Sequence, residues 1–151
     1  MFRALSTLAL VAVVAATTLP VRAQEQGCKV LDDAWTKAAN AGDVDALVAL
    51  YAPDAVLYTP EAMEARGTAA IRTAYTEMFT TNTVSDASIN STYQTSGDLA
   101  TGWGTATLTL TPKVGGSPQI ITVRVTAVGK KINGTWLYVA DHASVPMGPA
   151  R

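Results

Sequence analysis

One cysteine and one histidine are all that the 151-residue chain carries of the residues that most often hold disulfides and metals. A lone Cys28 excludes an intramolecular disulfide and leaves a free thiol or an intermolecular bridge. His142 and the carboxylates form no cluster at ligand spacing, so neither a tightly held metal nor another cofactor is expected. Positive charge is also scarce: 11 Lys and Arg stand against 12 Asp and Glu, too few to neutralise a run of phosphates, which argues against a nucleic-acid partner. Gly102-Trp103-Gly104 lies in a strand pattern with no helix after it, so it is no nucleotide loop. Beyond the first two dozen residues there is no second long apolar run, internal repeat or low-complexity stretch, and the remainder is expected to be soluble and free of the membrane.

The amino-terminal stretch is different. Met1-Phe2-Arg3 precedes an almost unbroken apolar run from Ala4 to Leu19, closed by Pro20 and the triplet Val21-Arg22-Ala23. A positive start, an apolar centre and small residues before the cut make residues 1–23 a signal peptide, with Gln24 the mature amino terminus and a periplasmic or secreted destination. The run is shorter than the roughly 20 apolar residues that a membrane-spanning helix needs. A lipid anchor on Cys28 is disfavoured by Glu25 and Gln26, which stand where apolar residues belong. Losing Arg3 and Arg22 leaves nine basic and twelve acidic residues and moves the formal charge from −1 to −3. Residues 24–151 are enough for one core and one domain.

That domain reads as helices first and strands afterwards. Leu31, Ala34, Trp35 and Ala38 recur at helical spacing and stop at Asn40-Ala41-Gly42. Asp43 caps a short second helix with Leu47, Leu50 and Tyr51 on its buried face, ended by Pro53. A short strand is expected over residues 55–59, and a third helix after Gly67-Thr68 with Ile71, Ala74, Tyr75 and Met78 as its stripe. Alternation then predicts four strands, over residues 84–95, 101–111, 119–131 and 135–143. Turns fall at Ser96-Gly97-Asp98, Gly115-Gly116-Ser117 and Asn133-Gly134, the last a type I′ hairpin signal. The expected architecture is α+β, with three amino-terminal helices packed on a strongly curved, mostly antiparallel sheet.

The stretch NAGDVDALVALYAPDAVLYTP from Asn40, followed by RGTAAIRTAY, resembles ketosteroid isomerases and SnoaL-like polyketide cyclases of the nuclear-transport-factor-2-like superfamily. The segment INGTWLYVADHASVP resembles the end of the related SgcJ/EcaC-type proteins, whose function is unassigned. The resemblance implies a cone with a pocket between helices and concave sheet, commonly in a homodimer. It does not imply the isomerase reaction, which needs a carboxylate base and two acidic hydrogen-bond donors. Alignment puts those positions at Trp35, Thr59 and Thr126, and none retains the required group.

Strand alternation groups Trp136, Tyr138, Ala140, His142 and Ser144 on one face of the last strand and Leu137, Val139, Asp141 and Ala143 on the other. With the resemblance, the first set lines the pocket. His142 is then a general acid or base, or a ring bonded to backbone at the strand's end; an Asp141–His142 dyad would need a bulge. Arg124, between Thr122 and Thr126, is either an anion stabiliser or an exposed or ion-paired arginine. Trp35, Tyr58, Thr59, Tyr75, Phe79, Trp103, Thr126, Trp136, Tyr138 and Ser144 are the expected pocket wall, some of them simply core. Three functions follow: an exported binder of an apolar or amphipathic small molecule, a cofactor-independent isomerase, cyclase or hydrolase using His142 and Arg124, or a homodimeric association module with a vestigial pocket.

Overall fold

The computed structural model describes residues 27–60 and 64–146. The expected leader, residues 1–23, and the expected mature terminus at Gln24 lie outside them. Three helices, α1 (Gly27–Ala41), α2 (Val44–Val48) and α3 (Gly67–Thr81), pack on a sheet of six strands: β1 (Tyr51–Tyr58), β2 (Ala65–Arg66), β3 (Asn82–Ser96), β4 (Leu99–Pro112), β5 (Gln119–Ile132) and β6 (Thr135–Ser144). The strand order is β2-β1-β6-β5-β4-β3. β3 to β6 form the expected antiparallel meander, while β1 lies parallel to β6 and antiparallel to β2. The result is an α+β cone in which the curved sheet wraps the helices.

Local chemistry accounts for most boundaries. The Asp43 side chain accepts the Ala46 N–H at 2.9 Å and caps α2. Asn133 and Gly134 both take positive φ, 50° and 84°, as a type I′ turn requires. The second helix corrects the sequence expectation: it stops at Val48, and Tyr51, read as helical, opens β1. Pro53 therefore sits inside a strand, where pairing with β6 jumps from Tyr51 to Val56. That irregular stretch accommodates a residue that has no N–H for a ladder.

The core lies between the helices and the sheet, around Leu31, Leu47, Ile71 and Tyr138. α1 comes close to strand backbone because two glycines face it. A Cβ on Gly129 would stand 3.1 Å from Leu31 Cδ1 and 3.2 Å from Cys28 Sγ, and one on Gly102 would stand 3.3 Å from Cys28 Cβ. Cys28 is thereby fully buried, and burial pushes its thiol pKa up to about 11. A buried, protonated thiol is chemically quiet, which favours packing over the surface roles considered for it.

β3 bends at Asp86, whose φ is 52°, and its pairing with β4 shifts between Ser85 and Ser88. Asn40, at the end of α1, clips this bulge. Its Nδ2 donates to the Ala87 carbonyl at 3.0 Å, and its Oδ1 accepts the Ala87 N–H at 2.8 Å.

Candidate functional site

Between α1, α3 and the concave side of the sheet lies a cavity of about 510 Å³. Along β4 and β5 its wall is apolar: Ala106, Leu108, Ile121, Val123, Val125 and Ala127 all line it. These positions alternate along β4 and β5 with polar residues that point the other way, as the two-residue period of a strand demands. The polar groups of the wall lie on the other elements: Asp32 of α1, Glu77 of α3, Asn82 and Ser91 of β3, Asp141 of β6 and Thr59 just after β1.

Two carboxylates anchor that polar side. Asp141 of β6 accepts the Tyr51 hydroxyl at 2.7 Å. Tyr51 and Tyr75 share a hydrogen bond of 2.6 Å, and the Trp35 indole N–H donates to the Tyr75 oxygen at 2.8 Å. Because Tyr51 gives its proton to Asp141, Tyr75 must be the donor between the two tyrosines. The chain therefore runs in one direction, from Trp35 through Tyr75 and Tyr51 to the carboxylate. Burial pushes the Asp141 pKa up to about 6, opposed by the Tyr51 bond and reinforced by the charge of Asp32. The second carboxylate, Asp32 of α1, is buried and accepts the hydroxyls of Tyr138 and, at 3.0 Å, Tyr93. Burial raises its pKa too, while both tyrosine bonds hold it down.

The expected pocket residues separate into three groups. Trp35, Thr59, Tyr75 and Tyr138 line the cavity. Trp136 is buried, but its ring packs over Gly27 in the core, and Phe79 borders a small separate cleft beside Gly42. The others lie on the opposite face of the sheet. Arg124, Thr126 and His142 are exposed, and Trp103 and Tyr58 keep 41% and 37% of their surface in solvent. Ser144 pairs with Arg124 outside the cavity wall.

On β6 the reason for this correction is a β-bulge. Pairing between β5 and β6 runs Val128 to Ala140 and then Gly129 to Tyr138, so β6 has one residue too many. The extra residue reverses the alternation beyond it. Tyr138 before the bulge and Asp141 and Ala143 after it share the cavity side, and His142 is turned out. The displaced residues still meet one another: Trp103, Thr126, His142 and Tyr58 are successive cross-strand partners from β4 to β1, and the Tyr58 and His142 rings stand edge to face at 6.1 Å. Arg124 and His142 thus lie outside the cavity wall.

Sequence reasoning missed Asp32, Tyr51, Tyr93 and Asp141. Only Asp32 left a signal, since Cys28, Asp32, Trp35 and Ala39 fall on one helical face and an acid in an apolar stripe is anomalous. Among the described residues no group of three or more His, Cys, Asp or Glu is arranged to hold a metal.

A family profile described as a SnoaL-like domain matches residues 33–139. No curated protein sequence matches the chain. Solved structures are similar throughout. A Xanthomonas campestris protein provisionally named a calcium/calmodulin dependent protein kinase II association domain is 27% identical, with a TM-score of 0.73 over 87% of this chain and 94% of its own. A ketosteroid isomerase-like protein from Erwinia carotovora atroseptica is 24% identical, with a TM-score of 0.72 over 83% and 99%. An NTF2-like protein of unknown function from Pseudomonas putida is 22% identical, with a TM-score of 0.66 over 81% and 86%.

Proposed function

Because this chain belongs to the SnoaL-like domain family, we propose that it binds an apolar or amphipathic small molecule in the cavity between its helices and its sheet. The observation that carries this reading is the wall itself. A space of about 510 Å³ is apolar along β4 and β5 and presents hydrogen-bonded carboxylates only at its other side. That is the composition of a ligand pocket, in which apolar area supplies affinity and a few fixed polar groups set orientation. The leader at residues 1–23 supports export, so the ligand would be met outside the cytoplasm.

The test is native mass spectrometry of the mature protein taken from its own extracytoplasmic fraction, with organic extraction of whatever it retains. A reproducible small molecule is expected, lost in Val125→Trp, which fills the cavity, and kept in Trp103→Ser, which alters the outer face. Protein that is empty and takes up nothing from a library of lipophilic metabolites would overturn the reading.

A second reading, cofactor-independent acid–base catalysis, is favoured by one specific observation. Asp141 faces the cavity with its pKa pushed up to about 6, close to the pH at which a general acid or base is most effective. In this reading Asp141, not His142, exchanges a proton with the ligand, while the Tyr51 hydroxyl steadies its Oδ2. Asp141→Asn would then abolish turnover of the extracted molecule without displacing it. A protein that only binds turns nothing over in either form.

A further inference from the structure

The cavity wall contains Asp32, Glu77 and Asp141 but no lysine, arginine or histidine among the described residues. Asp32 is buried, Asp141 half-buried and Glu77 exposed at the rim, and carboxylates drawn out of water are normally paired. Asp32 is partly compensated by two tyrosine hydroxyls. Asp141 has only the Tyr51 hydroxyl and its neighbour's backbone N–H, whereas a carboxylate can accept about four hydrogen bonds. Trp35, Tyr75 and Tyr138 add aromatic rings to the same wall, and an organic cation is attracted to such faces.

Resting on the binding reading above, we propose that the ligand is an apolar small molecule carrying a protonated amine, with its ammonium group held by Asp141 and its body along β4 and β5. The amine supplies the charge that the protein omits and the hydrogen-bond donors that Asp141 lacks. An anionic ligand of the same size is repelled by all three carboxylates, and a neutral one leaves Asp141 uncompensated. The groups that face Asp141 are Asp32 and Cys28 from α1, Tyr51 from β1, Tyr75 from α3 and Tyr138 from β6, with Glu77 farther along the α3 wall. None of them is a cation. Deprotonation of Asp141 and Asp32 on raising the pH therefore strengthens the site for an amine that stays protonated.

Calorimetric titration of the mature protein with 2-(2-naphthyl)ethylamine, 2-(2-naphthyl)ethanol and 2-naphthylacetate separates the possibilities. The three probes share an apolar body and differ in charge. The amine is expected to bind at least about tenfold more tightly than the alcohol, the value of one charged hydrogen bond, and the carboxylate to bind weakest. The advantage of the amine should grow between about pH 5 and about pH 8 and collapse in Asp141→Asn. Equal affinity of amine and alcohol, or tighter binding of the carboxylate, would overturn the ligand class and leave the binding reading standing. If Asp141→Asn fails to fold, the ranking and its pH dependence in the unaltered protein decide alone. If no probe binds, the binding reading fails and the amine proposal with it.

Discussion

Burial and hydrogen bonding act on Asp141 in opposite directions, and burial prevails, raising its pKa from 3.8 to about 6. The folded chain therefore holds this proton more tightly than the unfolded chain. The stabilisation is complete below the unfolded pKa and is lost as the pH rises through the folded one. Asp32 is shifted the same way. The melting temperature is expected to fall between about pH 4 and about pH 7, and to fall several degrees less in Asp141→Asn, which keeps an oxygen for Tyr51 but does not titrate. Scanning calorimetry across this range checks the sign, and parallel curves for the two proteins would contradict it. Tyr51 is the hinge of the same network. Tyr51→Phe strands the Tyr75 hydroxyl and strips Asp141 of its side-chain donor. A loss of about 1–3 kcal/mol is expected in urea denaturation, with a further upward shift of the Asp141 pKa by carboxyl NMR.

Elements are held together here by small residues and single clips. Gly104 of β4 lies against β3 so closely that an added Cβ would stand 2.1 Å from the Asn90 carbonyl oxygen. Backbone cannot yield as a flexible side chain does, so Gly104→Ala should cost more than about 2 kcal/mol or prevent folding. Exposed Thr105→Ala, one residue on, should be nearly neutral in the same denaturation assay. Asn40 joins α1 to the β3 bulge through both the nitrogen and the oxygen of its side-chain amide. The β6 bulge acts at the same scale but decides function, because it selects which of two adjacent residues, Asp141 or His142, enters the cavity.

At the scale of the whole molecule the sheet has two working faces. The concave face and the helices enclose the cavity. The outer face carries a row of Tyr58, His142, Thr126 and Trp103, with exposed Ile120 farther along β5 on the same face, apolar surface that stays in contact with water in an isolated chain. Homodimerisation, implied by the family resemblance, would use this face. Trp103→Asp is then expected to convert a dimer to a monomer in light scattering while leaving the occupant of the cavity in place. An unaltered chain that is monomeric at all concentrations would exclude this association.

The sequence alone determined what depends on local pattern: three helices ahead of a meander, the Asp43 cap, the Asn133-Gly134 turn and the apolar helical stripes. These follow from backbone sterics and from periodicities that a short window contains. The family resemblance then placed those elements in the right cone. Tertiary structure decided the rest. Tyr51 left the helix because its strand could pair with β6. The phase of β6 reversed at a bulge opposite Val128 and Gly129 of β5, and the alternation within β6 does not record that pairing. Alternation reads a strand correctly only while its pairing is regular, so His142 was assigned to the cavity and Asp141 away from it; Arg124 lies on a regular strand, where alternation groups residues by face but does not say which face is concave. A carboxylate bonded to Tyr51, backed through it by Tyr75 and repelled by the like charge of Asp32 is a property of the assembled sheet and helices, where burial and neighbouring charge are set by residues distant in the chain.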